Sequence, residues 1–425
     1  MNRTAGKLGV SWARGGVCAW MFCFVSGVGA FGQSDRYNIK VGDVMLDFSL
    51  YAEYGYNDNV TAVPEHAIHS EYPGVVGPLD DTYISYGAKM GFEWNLTDDH
   101  SLGFKVGAAW LDYQDLDYLD SENNSLTITP ESRVEALLLF GPVEVELYDE
   151  FSYTLDPSNA VLVNQDRTAI AYQVDKYARW TNLAGLEAMT VLNPFELTVA
   201  VSNYNIYNSD TEFDFTRREE WTVNTLLYYP LGRGKGAGVA ASWTDNNYIR
   251  DILVDSTGFY VGLLMDWELS PVTSFAAKVG RLNREYDASK TMGGDVVDSE
   301  GWMYSAELLH LLGKNFNHKL SYSRTIGYGR ATNEQVSDML AWDFVFQGIK
   351  GVDLKGGVQW ITSEDSGPKP FAEDYDLLYA VLGIGIGLTD RLDLSVDFHH
   401  ANKDSDNRDR SFEQNGASIR LDYDL

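Results

Sequence analysis

The chain is poor in cysteine, in basic residues and in long apolar runs, and each shortage removes a class of protein. Its 425 residues include only two cysteines, Cys18 and Cys23. Both lie in the first 32 residues, where Arg3, Lys7 and Arg14 are followed by the apolar run Val17 to Val25 and then by the small residues Ser26, Gly27, Gly29 and Ala30. That order is the layout of a secretory signal peptide. The run is too short to span a bilayer, which takes about 20 helical residues. Cleavage after Ala30 or Gly32 leaves a mature chain without a thiol, which excludes disulfide frameworks and cysteine metal sites. Lysine and arginine total 32 against 62 acids, a formal net charge of −30. Loss of the three bases in 1–32 moves that balance to −33. Nucleic acid is not an expected partner, because phosphate contacts need the opposite sign. No later stretch has the length of a transmembrane helix, so the mature chain is a soluble all-β protein or a membrane barrel.

What the chain has in quantity is period-two alternation, the signature of strands with one apolar face. Val44, Leu46, Phe48, Leu50, Ala52, Tyr54 and Tyr56 alternate with Asp47, Ser49, Glu53 and Gly55, and Ile84 to Trp94 repeats the pattern. Strands are expected at 44–56, 82–96, 101–113, 125–140, 143–154, 176–191, 196–207, 218–229, 236–247, 256–269, 273–285, 300–312, 317–328, 334–346, 351–362, 374–388, 391–402 and 411–425. Short joints such as Gly141-Pro142 and Thr389-Asp390 alternate with long polar connections such as Asn57 to Asp81 and Asp287 to Ser299. Tight turns on one side and long loops on the other are the habit of bacterial transmembrane barrels. The expected fold is therefore an all-β, antiparallel up-and-down barrel of about eighteen strands over 44–425, preceded by a short periplasmic segment, 33–43. Tryptophan sorts the same way. Trp110, Trp180, Trp221, Trp243, Trp302 and Trp360 fall at outer strand ends and Trp94, Trp267 and Trp342 toward inner ones, all on the apolar face, as two interfacial girdles require.

Two stretches carry family resemblances. Leu425, Tyr423, Leu421 and Ile419 share one face of the last strand, which runs to the terminal residue; this resembles the C-terminal signal strand of outer-membrane β-barrels, with Leu425 in place of the usual final aromatic. The resemblance implies recognition by the barrel-assembly machinery through those four residues. Tyr54-Gly55-Tyr56-Asn57-Asp58-Asn59-Val60 is similar to the opening of a family of outer-membrane β-barrel porins known mainly from sequence. That resemblance implies an outer-membrane location and a porin role, and it supplies no catalytic residue. Asn57 to Asn59 is also a plain turn former.

If the apolar face meets lipid, the other face lines a lumen, and sixteen to eighteen strands leave an aqueous one. Its expected pore-lining residues are Asp47, Glu53, Lys89, Glu93, Lys105, Glu131, Arg133, Glu135, Glu144, Glu146, Glu150, Arg179, Lys278, Lys355, Asp393 and Asp397, with Glu187, Asp266, Glu268, Glu307, Lys319, Asp343, Asp353, Arg420 and Asp422 on the same face. Acids outnumber bases there, so a conducting pore should prefer cations. Passive diffusion of small hydrophilic solutes needs such a barrel, and so does export of a polysaccharide or other polymer. A plugged, energy-coupled receptor does not fit, because only Gln33 to Asp43 precedes the first strand and no plug-sized domain is present. A lipid-modifying barrel enzyme is disfavoured: Ser395 and His399 share a face with Asp397, but residues four apart on a strand lie about 13 Å apart. No catalytic residue, metal or cofactor is expected.

Two departures from the pattern carry expectations of their own. The connection Leu155 to Asp175 holds the apolar run Ala160 to Val163, which suits a loop that folds inward or packs against the connection Asn57 to Asp81 and so narrows the pore. Asp149 falls on the lipid face between Leu147 and Phe151, which implies either a bulge or a homo-oligomer contact along strand 143–154.

Overall fold

The computed structural model describes residues 39–60, 62, 77–116, 126–154, 179–208, 217–232, 234–249, 254–287, 298–328, 334–366, 372–406 and 410–425. The leader 1–32 and the connection Leu155 to Asp175 lie outside the described residues. The strands are β1 Ile39–Val41, β2 Val44–Asn57, β3 Asp81–Asn95, β4 His100–Tyr113, β5 Thr127–Ile128, β6 Arg133–Phe140, β7 Val143–Thr154, β8 Arg179–Leu192, β9 Phe195–Asn208 and β10 Arg218–Pro230. They continue as β11 Lys235–Tyr248, β12 Ser256–Ser270, β13 Thr273–Tyr286, β14 Ser299–Leu312, β15 Phe316–Gly327, β16 Gln335–Ile349, β17 Val352–Asp365, β18 Asp374–Thr389, β19 Leu392–Ser405 and β20 Phe412–Asp424.

From β2 onward each strand pairs antiparallel with its successor, save that β5 and β6 both lie between β4 and β7, and β20 pairs with both β19 and β2. The sheet is thereby closed into an eighteen-stranded barrel, β5 and β6 sharing one position. Closure gives every strand of the barrel a partner on both sides, which is what allows a sheet to sit in lipid. The final turn of the ladder is made by the terminal residue itself, whose N–H donates to the Phe48 carbonyl at 3.0 Å. β20 stops opposite Ser49, and the ladder on that edge of β2 is continued by β1, which pairs with Val44 to Leu46 across a turn at Gly42 with φ +64°. Such a φ is open to glycine at no steric cost.

One predicted strand is broken. Instead of running through 125–140, the chain turns at 129–132 between β5 and β6. Pro130 has no N–H for the ladder, and Ser132 takes over locally: its hydroxyl accepts from the Gly107 N–H at 3.0 Å and its carbonyl from Phe151. Glu131 therefore stands on a turn, from which it reaches Lys89 on β3 at 2.6 Å. β16 is also longer than its pattern suggests, running to Ile349, which leaves Trp342 at mid-strand.

The two faces differ as alternation demands. Leu50, Tyr54, Ile84, Leu263, Trp302, Trp360 and Ile419 stand exposed on the outside, a continuous apolar surface that water does not favour and acyl chains do. Asp149 is on that face. The β7–β8 register runs unbroken from Val143 to Thr154, so no bulge is involved, and the Asn182 amide of β8 donates to the Asp149 carboxylate.

Candidate functional site: the barrel interior

The interior changes character with depth. Toward the short turns it is a charged wall. Arg133 on β6 makes ion pairs with Glu135 at 2.8 Å and with Glu146 and Glu150 on β7, and its guanidinium lies 4.9 Å from the Tyr148 ring. A single cation thus answers three carboxylates. Glu146 lies opposite Glu187 of β8 in register, and Lys105 opposite Arg133. On the closing side, Arg420 of β20 pairs with Asp422 at 2.7 Å, approaches Glu53 at 3.9 Å and lies 3.9 Å from the Tyr51 ring. Asp393 and Asp422 are direct cross-strand partners, and Asp353 and Lys355 of β17 stand beside the Gly383–Gly385 stretch of β18, across from Asp397. Lys319 and Asp343 form a looser pair at 3.9 Å between β15 and β16.

Tyrosines lie along this wall where glycine leaves room. A Cβ on Gly262 or Gly280 would meet the Tyr260 hydroxyl at 2.1 or 2.3 Å, and one on Gly55 would strike the Tyr83 ring at 2.3 Å. The rings therefore cover neighbouring backbone while their hydroxyls find carboxylates, Tyr83 donating to Glu53 at 2.8 Å and Tyr228 to Asp266 at 2.6 Å.

Toward the long connections the interior is packed. Met339, Ile361, Tyr375, Leu377, Ala401 and Phe412 form one buried cluster, joined by Ala62 from the β2–β3 connection. Val60 of the same connection is wholly buried against Tyr113 and Leu116. The Asn-Asp-Asn turn is what ties it down: Asn59 donates to the Glu413 carbonyl at 2.8 Å and receives the Gln414 amide on its own carbonyl at 2.6 Å, and Asp58 accepts from Asn415. Nearby, Lys403 has no exposed surface; its ammonium sits 2.6 Å from Glu373 and 4.3 Å from the Tyr375 ring. The Ser405 hydroxyl donates to the same carboxylate at 2.7 Å.

This outer half holds the interior charges that the sequence reading passed over: Arg218, Glu220, Arg284 and Lys403, all buried, beside Arg179, which it did place. Arg218 and Arg284 obey the same alternation as the other interior positions but sit at strand ends, and Lys403 lies past the strand end expected at 402. Acids accompany these bases, Glu220 on β10 two residues from Arg218 and Glu373 against Lys403 and Arg410, so the outer half is charged with both signs.

No protein-family model matches the chain, and no curated protein matches it in sequence. Among solved structures, it is similar to OccAB3 of Acinetobacter baumannii, at 15% identity and TM-score 0.50, over 91% of this chain and 100% of that one. It is similar also to OccK1 (OpdK) of Pseudomonas aeruginosa, at 12% identity and TM-score 0.50 over 90% and 98%. OccK2 (OpdF) of Pseudomonas aeruginosa, solved in complex with glucuronate, matches at 13% identity and TM-score 0.50 over 89% and 98%. At such identities the likeness is one of fold: this chain is an eighteen-stranded antiparallel barrel built as outer-membrane porins are.

Proposed function

We propose that this protein is an outer-membrane channel for passive diffusion of small hydrophilic solutes, with a preference for cations. The observation that carries the reading is a closed barrel, apolar outside and lined within by ionised side chains, of a strand number that leaves an aqueous lumen. The packed outer half favours small solutes over a polymer conduit, since a polymer needs uniform width along the axis. A barrel of the same fold, OccK2, has been solved with glucuronate, a small polar solute. Glucuronate is an anion, and here the preference is inferred to be opposite: the inner wall sets Arg133 against Glu135, Glu146 and Glu150, and Asp393 against Asp422. Fixed charge lining a channel sets which ion it admits. The test is a planar-bilayer recording of the refolded mature protein in a salt gradient. A stable conductance whose reversal potential has the cation-selective sign is expected; anion selectivity would reject the preference, and no conductance would reject the channel.

A further inference from the structure

The inner ends of β14 to β17 carry bases on the lipid face and no acid. His310 of β14 and His318 of β15 are direct cross-strand partners, with ring centroids 5.2 Å apart. They share the parity of Leu312, Leu320 and Tyr322, which stand exposed on the outside. Neither imidazole has a hydrogen-bond partner among the described residues. Aromatic rings surround the pair instead. The Phe316 ring centroid lies 5.6 Å from that of His318, 6.0 Å from Phe344 and 6.5 Å from Phe346, and Trp342 lies 5.0 Å from Phe344. At the rim beneath them, Lys314 stands in the turn between β14 and β15 and Lys350 in the turn between β16 and β17, both exposed. The carboxylates of these inner strand ends, Glu307, Asp343 and Asp353, have the opposite parity and face the lumen. Other inner turns are uncharged, as Gly141-Pro142 is, or set an acid beside the base, as Asp390-Arg391 does.

We infer that this sector of the inner girdle is a docking site for an anionic glycerophospholipid, with its phosphate held by His310, His318, Lys314 and Lys350 and its acyl chains laid on Phe316, Phe344 and Trp342. Charge complementarity chooses the head group: phosphate oxygens accept from imidazole N–H groups and from ammonium groups alike, and basic groups at the edge of an apolar membrane surface attract anionic lipids. The two lysine-bearing turns are two strands apart, about 10 Å, so their long side chains reach one head group from either side. The rings choose an amphiphile. A free phosphate would leave them unused, and an acidic protein in the periplasm would meet the lysines but not the imidazoles, which stand above the turns among the rings. The site goes beyond the channel reading and needs only that the barrel sit in a bilayer.

The test is native mass spectrometry of the mature protein, refolded in detergent and mixed with dioleoylphosphatidylglycerol or dioleoylphosphatidylcholine. Wild type is expected to bind the anionic lipid about tenfold more tightly, the scale of one or two bases acting on an anionic head group. Combining His310→Gln, Lys314→Gln, His318→Gln and Lys350→Gln should bring the two affinities together in protein that still shows the heat-modifiable folded band. The two exposed lysines alone, Lys314→Gln with Lys350→Gln, should reduce the preference to about threefold while leaving the packed rings untouched. Arg391→Gln, at a turn where Asp390 accompanies the base, should keep the full preference. Glycerol 3-phosphate in excess should not displace the lipid. Equal affinities in wild type, a preference that survives both lysine changes and the quadruple variant, or an equal loss in Arg391→Gln would overturn the site. Displacement by glycerol 3-phosphate would overturn it too, since it would mark a plain anion patch. No current is read, so failure of the channel reading is told apart from failure of the lipid site.

Discussion

Arg133 shows how one residue decides the character of a wall. Its guanidinium is the shared partner of Glu135, Glu146 and Glu150, and all four side chains keep between a quarter and a half of their surface in contact with the lumen. Pairs so open to water stabilise a fold by at most about 1 kcal/mol each, so their main effect is on ions passing by. Arg133→Gln should leave the barrel folded and increase the cation-to-anion permeability ratio, read as a larger reversal potential in the same salt gradient; an unchanged potential would place the current elsewhere in the lumen. The glycine–tyrosine pairs are residue-scale features of the opposite kind, structural and intolerant. A Cβ on Gly262 would meet the Tyr260 hydroxyl at 2.1 Å and the Val279 carbonyl at 2.9 Å. Gly262→Val should therefore cost about 1–3 kcal/mol, the usual range for overpacking, and shift the urea midpoint of refolding in detergent accordingly.

Elements were legible wherever alternation was strict. The strand expected at 143–154 is β7 at those bounds, and most others differ by a residue or two at their ends. The expected strand at 125–140 failed because its apolar residues keep period two through Thr129 to Ser132 while Pro130 removes a ladder donor. Pro130 was visible in the sequence; that Ser132 would repair the gap with Gly107 and Phe151 was not, since both partners come from other strands. Asp149 illustrates the same limit. Its carboxylate is held by Asn182, which lies 33 residues away in the chain and diagonally across β8. With that partner in the same chain, Asp149→Leu loses one hydrogen bond and gains apolar surface on the outer face, so it should leave stability within about 1 kcal/mol of wild type. A homo-oligomer contact along β7 predicts something different, a changed mobility in native electrophoresis, and the comparison with wild type separates the two.

At the scale of the whole molecule, the fold depends on one seam. β20 must meet β2, and its outward row of Ile419, Leu421, Tyr423 and Leu425 stands exposed to the surroundings beside that seam. We propose that this row also carries the assembly signal that its pattern resembles. Tyr423→Ser with Leu425→Ser should then lower the amount of barrel inserted in the outer membrane of cells, while the same variant refolds in detergent to a heat-modifiable band as readily as wild type. Equal loss in both settings would mean that the two side chains matter for stability alone. Deleting 412–425 should abolish the folded band altogether, because β2 and β19 would each be left with an open edge.

The strand class and the count of about eighteen were legible in the sequence alone, because alternation and turn chemistry are local properties of the chain. The same parity rule, which needs no partner, is what proposes the inward acids as pore-lining. What only the tertiary structure decided lies where distant strands meet. The burial of Ile326 against Tyr260 and Leu282, the burial of Arg218, Arg284 and Lys403, and the anchoring of Val60 and Ala62 in the outer lumen all depend on contacts between segments far apart in sequence. Alternation says which way a side chain points; only closure of the barrel brings opposite walls near enough to say what it meets.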